Sequence, residues 1–155
     1  QYPQRMVDDL TEAVQEQQAA GFTVMITGHS LGGYAAEIIS TTLNIAGAGF
    51  QAPGPNTIVG TKHNGPHKHD GFRCINAFHD PAGNLLPGTF AHLQWTVYAK
   101  SPALTIAPLS HSLTKMVSFL EGCTSDITNY NVYEYATHGI FELGQYTLHM
   151  NTKSK

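Results

Sequence analysis

Phe22-Thr23-Val24-Met25-Ile26-Thr27, followed by Gly28-His29-Ser30-Leu31-Gly32-Gly33, joins two opposite patterns across a glycine-rich corner. The first six residues are short, apolar and rich in β-branched side chains, with glycine on both flanks. That predicts a buried strand. From Leu31 to Asn44 the period changes to that of a helix, with Ala35, Ala36, Ile38, Ile39 and Leu43 available for packing. At the junction lies Gly-x-Ser-x-Gly. A chain turning this sharply from strand to helix pushes the serine oxygen out of the sheet and leaves no room for side chains two residues either side. Gly28 and Gly32 meet that demand, and Gly33 lets the helix lie close to the strand. Ser30 is therefore the candidate nucleophile, with the Leu31 N–H at the helix start as an oxyanion donor. The competing reading is a chance glycine-rich turn, and the flanking strand and helix argue against it. His29 points away from Ser30 in such a turn and reads as a packing or supporting residue.

Outward from this corner the patterns keep alternating. Residues 3 to 19 form an amphipathic helix, with Pro3 in its first turn and Met6, Leu10 and Val14 on one face; Gly21 stops it. Ile45 to Phe50 is a second apolar segment, ending at Pro53-Gly54-Pro55. Helix and buried strand in alternation specify an α/β fold, a mostly parallel sheet with crossover helices. Residues 54 to 71 read as a long Gly-, Pro-, His- and Asn-rich loop. Phe72 to Phe78 and Leu93 to Ala99 are further strands. Ser110 to Leu120 is a helix with Leu113, Met116, Val117 and Leu120 on one face and Ser110 as its N-cap. The Tyr-rich tail forms a small strand or hairpin. No repeat or linker divides the chain, so residues 1–155 are expected to be one domain.

Composition narrows the function. A chain of 155 residues with a formal charge of −3 has no basic face for a nucleic acid. No apolar run approaches the ~20 residues of a membrane span, and Gln1-Tyr2-Pro3-Gln4 has no signal-peptide layout. Cys74 and Cys123 permit one disulfide without requiring it, and their spacing matches neither a zinc knuckle nor a redox pair. His63, His67 and His69 invite a metal reading. They sit without register in a Gly/Pro loop, with Asp70 the only adjacent carboxylate, so a solvated loop is expected, with no metal and no cofactor.

A serine hydroxyl attacks only when a histidine takes its proton, and that histidine needs a carboxylate to hold its tautomer. In strand–turn–helix sites of this kind the acid follows the serine and the base comes last. Of Glu37, Asp70, Asp80, Glu121, Asp126, Glu134 and Glu142, Asp80 stands where a strand ends and a loop begins, before Pro81. Functional groups of parallel sheets gather at such ends. Glu37 and Asp70 are expected to be solvated. His92, His111, His138 and His149 are the candidate bases. His111 is preferred because it begins an amphipathic helix after a loop, where the helix N-terminus disfavours a charged ring. His92, inside Phe90-Ala91-His92-Leu93-Gln94-Trp95, reads as a packed structural histidine, and His138 and His149 stay open.

These residues resemble the fungal-type, or class three, lipases of the α/β-hydrolase superfamily. The likeness runs from about residue 5 to 120. It includes the Ser30 turn, Phe50-Gln51-Ala52-Pro53, Asn76-Ala77-Phe78-His79-Asp80-Pro81 with Leu85-Leu86-Pro87, Phe90-Ala91-His92-Leu93, and His111-Ser112-Leu113. The resemblance implies a Ser30–Asp80–His111 triad hydrolysing carboxylic esters of lipids at a membrane or droplet surface without a cofactor. In the family the histidine corresponding to His92 is not catalytic. The Asp80–His111 interval is shorter than is usual there, which leaves His138 as an alternative base. Set against that family, the chain lacks the N-terminal strands and the loop giving a second oxyanion N–H. The expectation is a partial α/β-hydrolase fold, the C-terminal catalytic part of such a domain. It would associate with the missing N-terminal segment and need it for full activity. A secreted or extracellular protein is expected rather than a cytoplasmic one. The rival readings are a lipid-degrading toxin effector, a protease or thioesterase on the same scaffold, and a non-catalytic docking remnant of the fold.

Overall fold

The computed structural model describes residues 2–57, 69–77, 80–83, 92–99, 111–123, 132–136 and 139–140. Helix α1 (Tyr2–Ala19) leads to strand β1 (Ile26–His29), helix α2 (Leu31–Leu43) and strand β2 (Gly47–Phe50). A 3-10 turn (Pro55–Thr57) comes before strand β3 (Phe72–Ala77) and strand β4 (Trp95–Ala99). Helix α3 (Leu113–Cys123) and the strands β5 (Val132–Ala136) and β6 (Gly139–Ile140) follow.

The strands lie in sequence order, β1 to β4 parallel, with β5 added antiparallel to β4 and β6 to β5. A four-stranded parallel sheet with flanking helices is an α/β arrangement, as the alternation of patterns requires. Successive residues of β3 explain how both faces are covered. Phe72 and Cys74 pack with Ala36 of α2, whereas Ile75 and Ala77 pack with Met116 and Leu120 of α3, the two-residue alternation of a strand. Helix α1 rides on α2 through Val7, Met6 and Val14.

Four expectations shift. Strand β1 starts at Ile26, not Phe22; Phe22 and Met25 are 64% and 73% exposed. The ladder begins only where β2 offers a partner, Ile26 opposite Gly47. On α1, Leu10 is exposed and Val7 is buried instead, because the seam against α2 is narrow. On α3, Met116 is buried while Leu113 and Val117 face outward. Helix α3 also begins at Leu113, with the Ser112 carbonyl accepting from Met116 N–H and its hydroxyl from Lys115 N–H; Ser110 lies outside the described residues. Of the tail, the described residues supply the small strand expected there, β5 pairing antiparallel with β6 at Tyr135 opposite Ile140 and Ala136 opposite Gly139. No helix among the described residues is long and apolar enough to cross a membrane.

Candidate active site

The corner after β1 sets the geometry. Ser30 has φ 55 and ψ −124, a conformation a side-chain-bearing residue adopts only at a cost of about 1–3 kcal/mol. The corner is fixed by the Ser30 N–H donating to Phe50 O at 3.0 Å and by Tyr34 N–H donating to Ser30 O. A Cβ on Gly28 would come within 2.3 Å of the Gly32 backbone. One on Gly33 would meet the Ala52 Cβ at 2.8 Å and Gly28 O at 2.9 Å. Gly32 differs: a Cβ there meets no described atom within 4 Å. The steric demand assigned to Gly28 and Gly32 thus falls on Gly28 and Gly33. The reason is that the helix's first turn leans back on β1 through residues 28 and 33, while position 32 faces outward.

The three expected groups meet in one chain of hydrogen bonds. Ser30 Oγ lies 2.9 Å from His111 Nε2, and His111 Nδ1 lies 2.8 Å from Asp80 Oδ1. A carboxylate can only accept, so Nδ1 carries the proton and Nε2 is left to accept the Ser30 hydroxyl proton. Asp80 is fully buried, and a buried carboxylate needs donors. Its Oδ2 accepts from Gly83 N–H at 2.8 Å and its Oδ1 from Ala82 N–H at 3.3 Å. Asp80-Pro81-Ala82-Gly83 is a turn with Asp first, Pro second and Gly fourth, and the Asp80 N–H donates to Ala77 O at the end of β3 at 3.0 Å. His111 is 28% exposed on its side chain, so the open end of the chain is the serine end. Leu31, as the first residue of α2, carries one of the N–H groups a helix leaves without an internal acceptor.

His29 does more than fill space. Its Nε2 lies 3.0 Å from Gln51 Oε1 and 3.1 Å from His111 O, both acceptors, so Nε2–H is shared between them. The two imidazoles are 4.9 Å apart at 38°. Gln51 is buried at φ 48. This link between the residue before Ser30 and the main chain of His111 had no local signature; it comes from folding positions 29, 51 and 111 together.

Other expectations resolve differently. Glu37, expected in solvent, is fully buried. Its Oε1 accepts from Leu93 N–H at 2.6 Å and Gln94 N–H at 2.8 Å, and its Oε2 from His92 Nδ1 at 2.9 Å. Residues 33 to 41 of α2 are all buried, so the helix carries its one acid inside. His92 is the packed histidine expected. Asp70 is exposed and sits 3.7 Å from Arg73. His69 is not a solvated loop residue: Ser40 Oγ, which donates to Ile45 O, accepts from its Nε2 at 2.9 Å, and its Nδ1 accepts from Gly71 N–H. His63, His67, His138 and His149 lie outside the described residues. So does the Cys123 side chain, and with it the disulfide; Cys74 is buried in β3.

No model of a known family matches the chain, and comparison with curated proteins finds no match.

Proposed function

We propose that the protein is a serine hydrolase of carboxylic esters, with Ser30 as nucleophile, His111 as base and Asp80 as the group that orients His111. One observation carries this reading: a hydroxyl on a strained strand-to-helix corner, hydrogen-bonded to an imidazole whose other nitrogen meets a buried carboxylate. In the proposed reaction Ser30 Oγ attacks the ester carbonyl as its proton passes to His111 Nε2. The developing oxyanion is stabilised by the helix-start N–H of Leu31. His111 then protonates the departing alcohol, leaving an acyl group on Ser30. A water that gives its proton to the same nitrogen attacks the acyl carbon, and the nitrogen passes that proton to Ser30 Oγ as the acid departs. Asp80 holds the proton on Nδ1 throughout, fixing the tautomer of the neutral ring and stabilising the imidazolium. The resemblance to class three lipases points to lipid esters as the substrate class and to an α/β-hydrolase fold.

A fluorophosphonate probe and a series of p-nitrophenyl esters test the proposal. Wild-type protein is expected to be phosphonylated at Ser30 and to cleave esters. Ser30→Ala is expected to lose the label and to lower any ester turnover by a factor on the order of 10⁴ or more. Undiminished turnover in Ser30→Ala would sink the assignment, and the preferred acyl length in the ester series reports the lipid character of the substrate.

A further inference from the structure

Behind the candidate triad lies a second chain of buried polar groups that the reaction does not use. Glu37 on α2, His92 before β4 and Asn76 on β3 are fully or almost fully buried. Their hydrogen bonds allow one consistent arrangement. Glu37 Oε1 already receives two backbone N–H groups, so Oε2 takes the proton of His92 Nδ1. His92 Nε2 is then an acceptor, and Asn76 Nδ2 donates to it at 3.1 Å. This orients the amide: Asn76 Oδ1 accepts from Ala52 N–H at 3.0 Å, and Nδ2 also reaches Gly83 O at 3.4 Å. Gly83 is the residue whose N–H holds Asp80 Oδ2. A Cβ on Gly83 would collide with Asn76 Nδ2 at 2.9 Å and Asp80 Oδ2 at 2.9 Å, so the turn is clasped between the amide and the carboxylate.

We infer that Glu37, His92 and Asn76 form a positioning relay that fixes the Asp80 turn and so aims His111 at Ser30. It rests on the hydrolase reading of Ser30, Asp80 and His111. The relay ties the helix that starts at the nucleophile to the turn that carries the acid, so the two halves of the site move together. Asn76 touches no reacting atom; it acts through Gly83 and Asp80. Turning its amide would put Nδ2–H against the Ala52 N–H and Oδ1 against the Gly83 carbonyl. Each buried group so mismatched is expensive, and the tautomer of His92 is what prevents the turn. The Cys74 thiol lies with Glu37 and His92 in a group whose ligand atoms are within 4.8 Å of one another. A metal there would replace the Nδ1 proton and break the relay, so the two occupancies exclude each other.

The test uses the full chain. In ¹⁵N-histidine spectra of the wild type, His92 is expected to carry its proton on Nδ1. A proton on Nε2, or a bound equivalent of metal with Nδ1 deprotonated, overturns the relay. Asn76→Ala and His92→Leu are then compared with wild type for fluorophosphonate labelling of Ser30 and for the low-field resonance of the proton between His111 and Asp80. Folded variants are expected to lose that resonance and to show kinact lowered roughly ten- to a hundredfold, as for a catalytic group displaced by about an ångström, with KI unchanged. His92→Gln, whose amide keeps a donor for Glu37 and an acceptor for Asn76, is expected to recover most of the rate. If neither Asn76→Ala nor His92→Leu folds, the position of the His92 proton in the wild type decides the matter. Folded variants with wild-type kinact and an intact resonance overturn the proposal. A wild-type chain that is never labelled refutes the hydrolase reading instead, while the resonance still reports whether Asn76 positions Asp80.

Discussion

Ser30 holds φ 55 with a side chain attached, so the corner stores strain that the rest of the fold must outweigh. The proposed nucleophile needs a hydroxyl where the backbone favours glycine. Ser30→Gly should therefore stabilise the protein, by about 1 kcal/mol, while removing all labelling. Urea denaturation of the two proteins reads this directly, and an unchanged or lower midpoint for the glycine variant would mean the corner is unstrained. The neighbouring glycines separate by the same reasoning. A methyl at position 28 has backbone 2.3 Å away, and backbone cannot yield as a flexible side chain can. Gly28→Ala is expected to cost about 3 kcal/mol or more. Gly32→Ala finds open space among the described residues and sits in a helix, where alanine is favoured by up to about 1 kcal/mol. Equal losses at the two positions would contradict this division.

At the scale of elements, α2 shows what was legible and what was not. Its period and its start were readable, and so was its end. Asn44 follows it in the left-handed conformation, φ 54 and ψ 47, the helix-ending geometry that suits Gly and Asn. Asn44→Ala should lower stability by about 1 kcal/mol and Asn44→Gly should not, a comparison that thermal melting can make. The burial of Glu37 was missed, although a hint was present. Leu31–Leu43 contains no other charged residue, and a helix without a polar face is one buried all round. Strand β1 was misplaced because its length depends on β2, some twenty residues away, and no local pattern encodes that. The place of Asp80, past the end of β3 and before Pro81, was legible, whereas the turn that Asp-Pro-Ala-Gly makes there was not drawn from it. His111 had weaker local support, since it lies ahead of α3 and is placed by contacts with His29 and Asp80.

Across the whole molecule the site is assembled from parts of unequal firmness. Ser30 leads into α2, which packs on one side of the sheet in the larger core cluster, built from Val7, Tyr34, Ala35, Ile38, Ile39, Ile45 and Leu93, and Asp80 follows β3. His111 enters ahead of α3, whose described side chains anchor to the opposite face chiefly through Met116 and Leu120 on Ala77, Phe50 and Ile75. Leu113 and Val117 remain outside that contact. Segments with few buried apolar contacts open at lower free energy than the global transition. His111, the proposed base, should therefore leave the site before the sheet unfolds. In a urea titration, Ser30 labelling is expected to fall at lower denaturant than the far-ultraviolet circular dichroism. Met116→Ala removes the one described side chain of α3 that is fully buried, at a local cost of about 2–5 kcal/mol, and should widen the gap between the two curves. It should do so chiefly by moving the labelling curve, because the described residues of the larger cluster include none from α3. Coincident transitions in both proteins would show instead that α3 and the sheet form one cooperative unit, with the histidine held as firmly as the serine it faces.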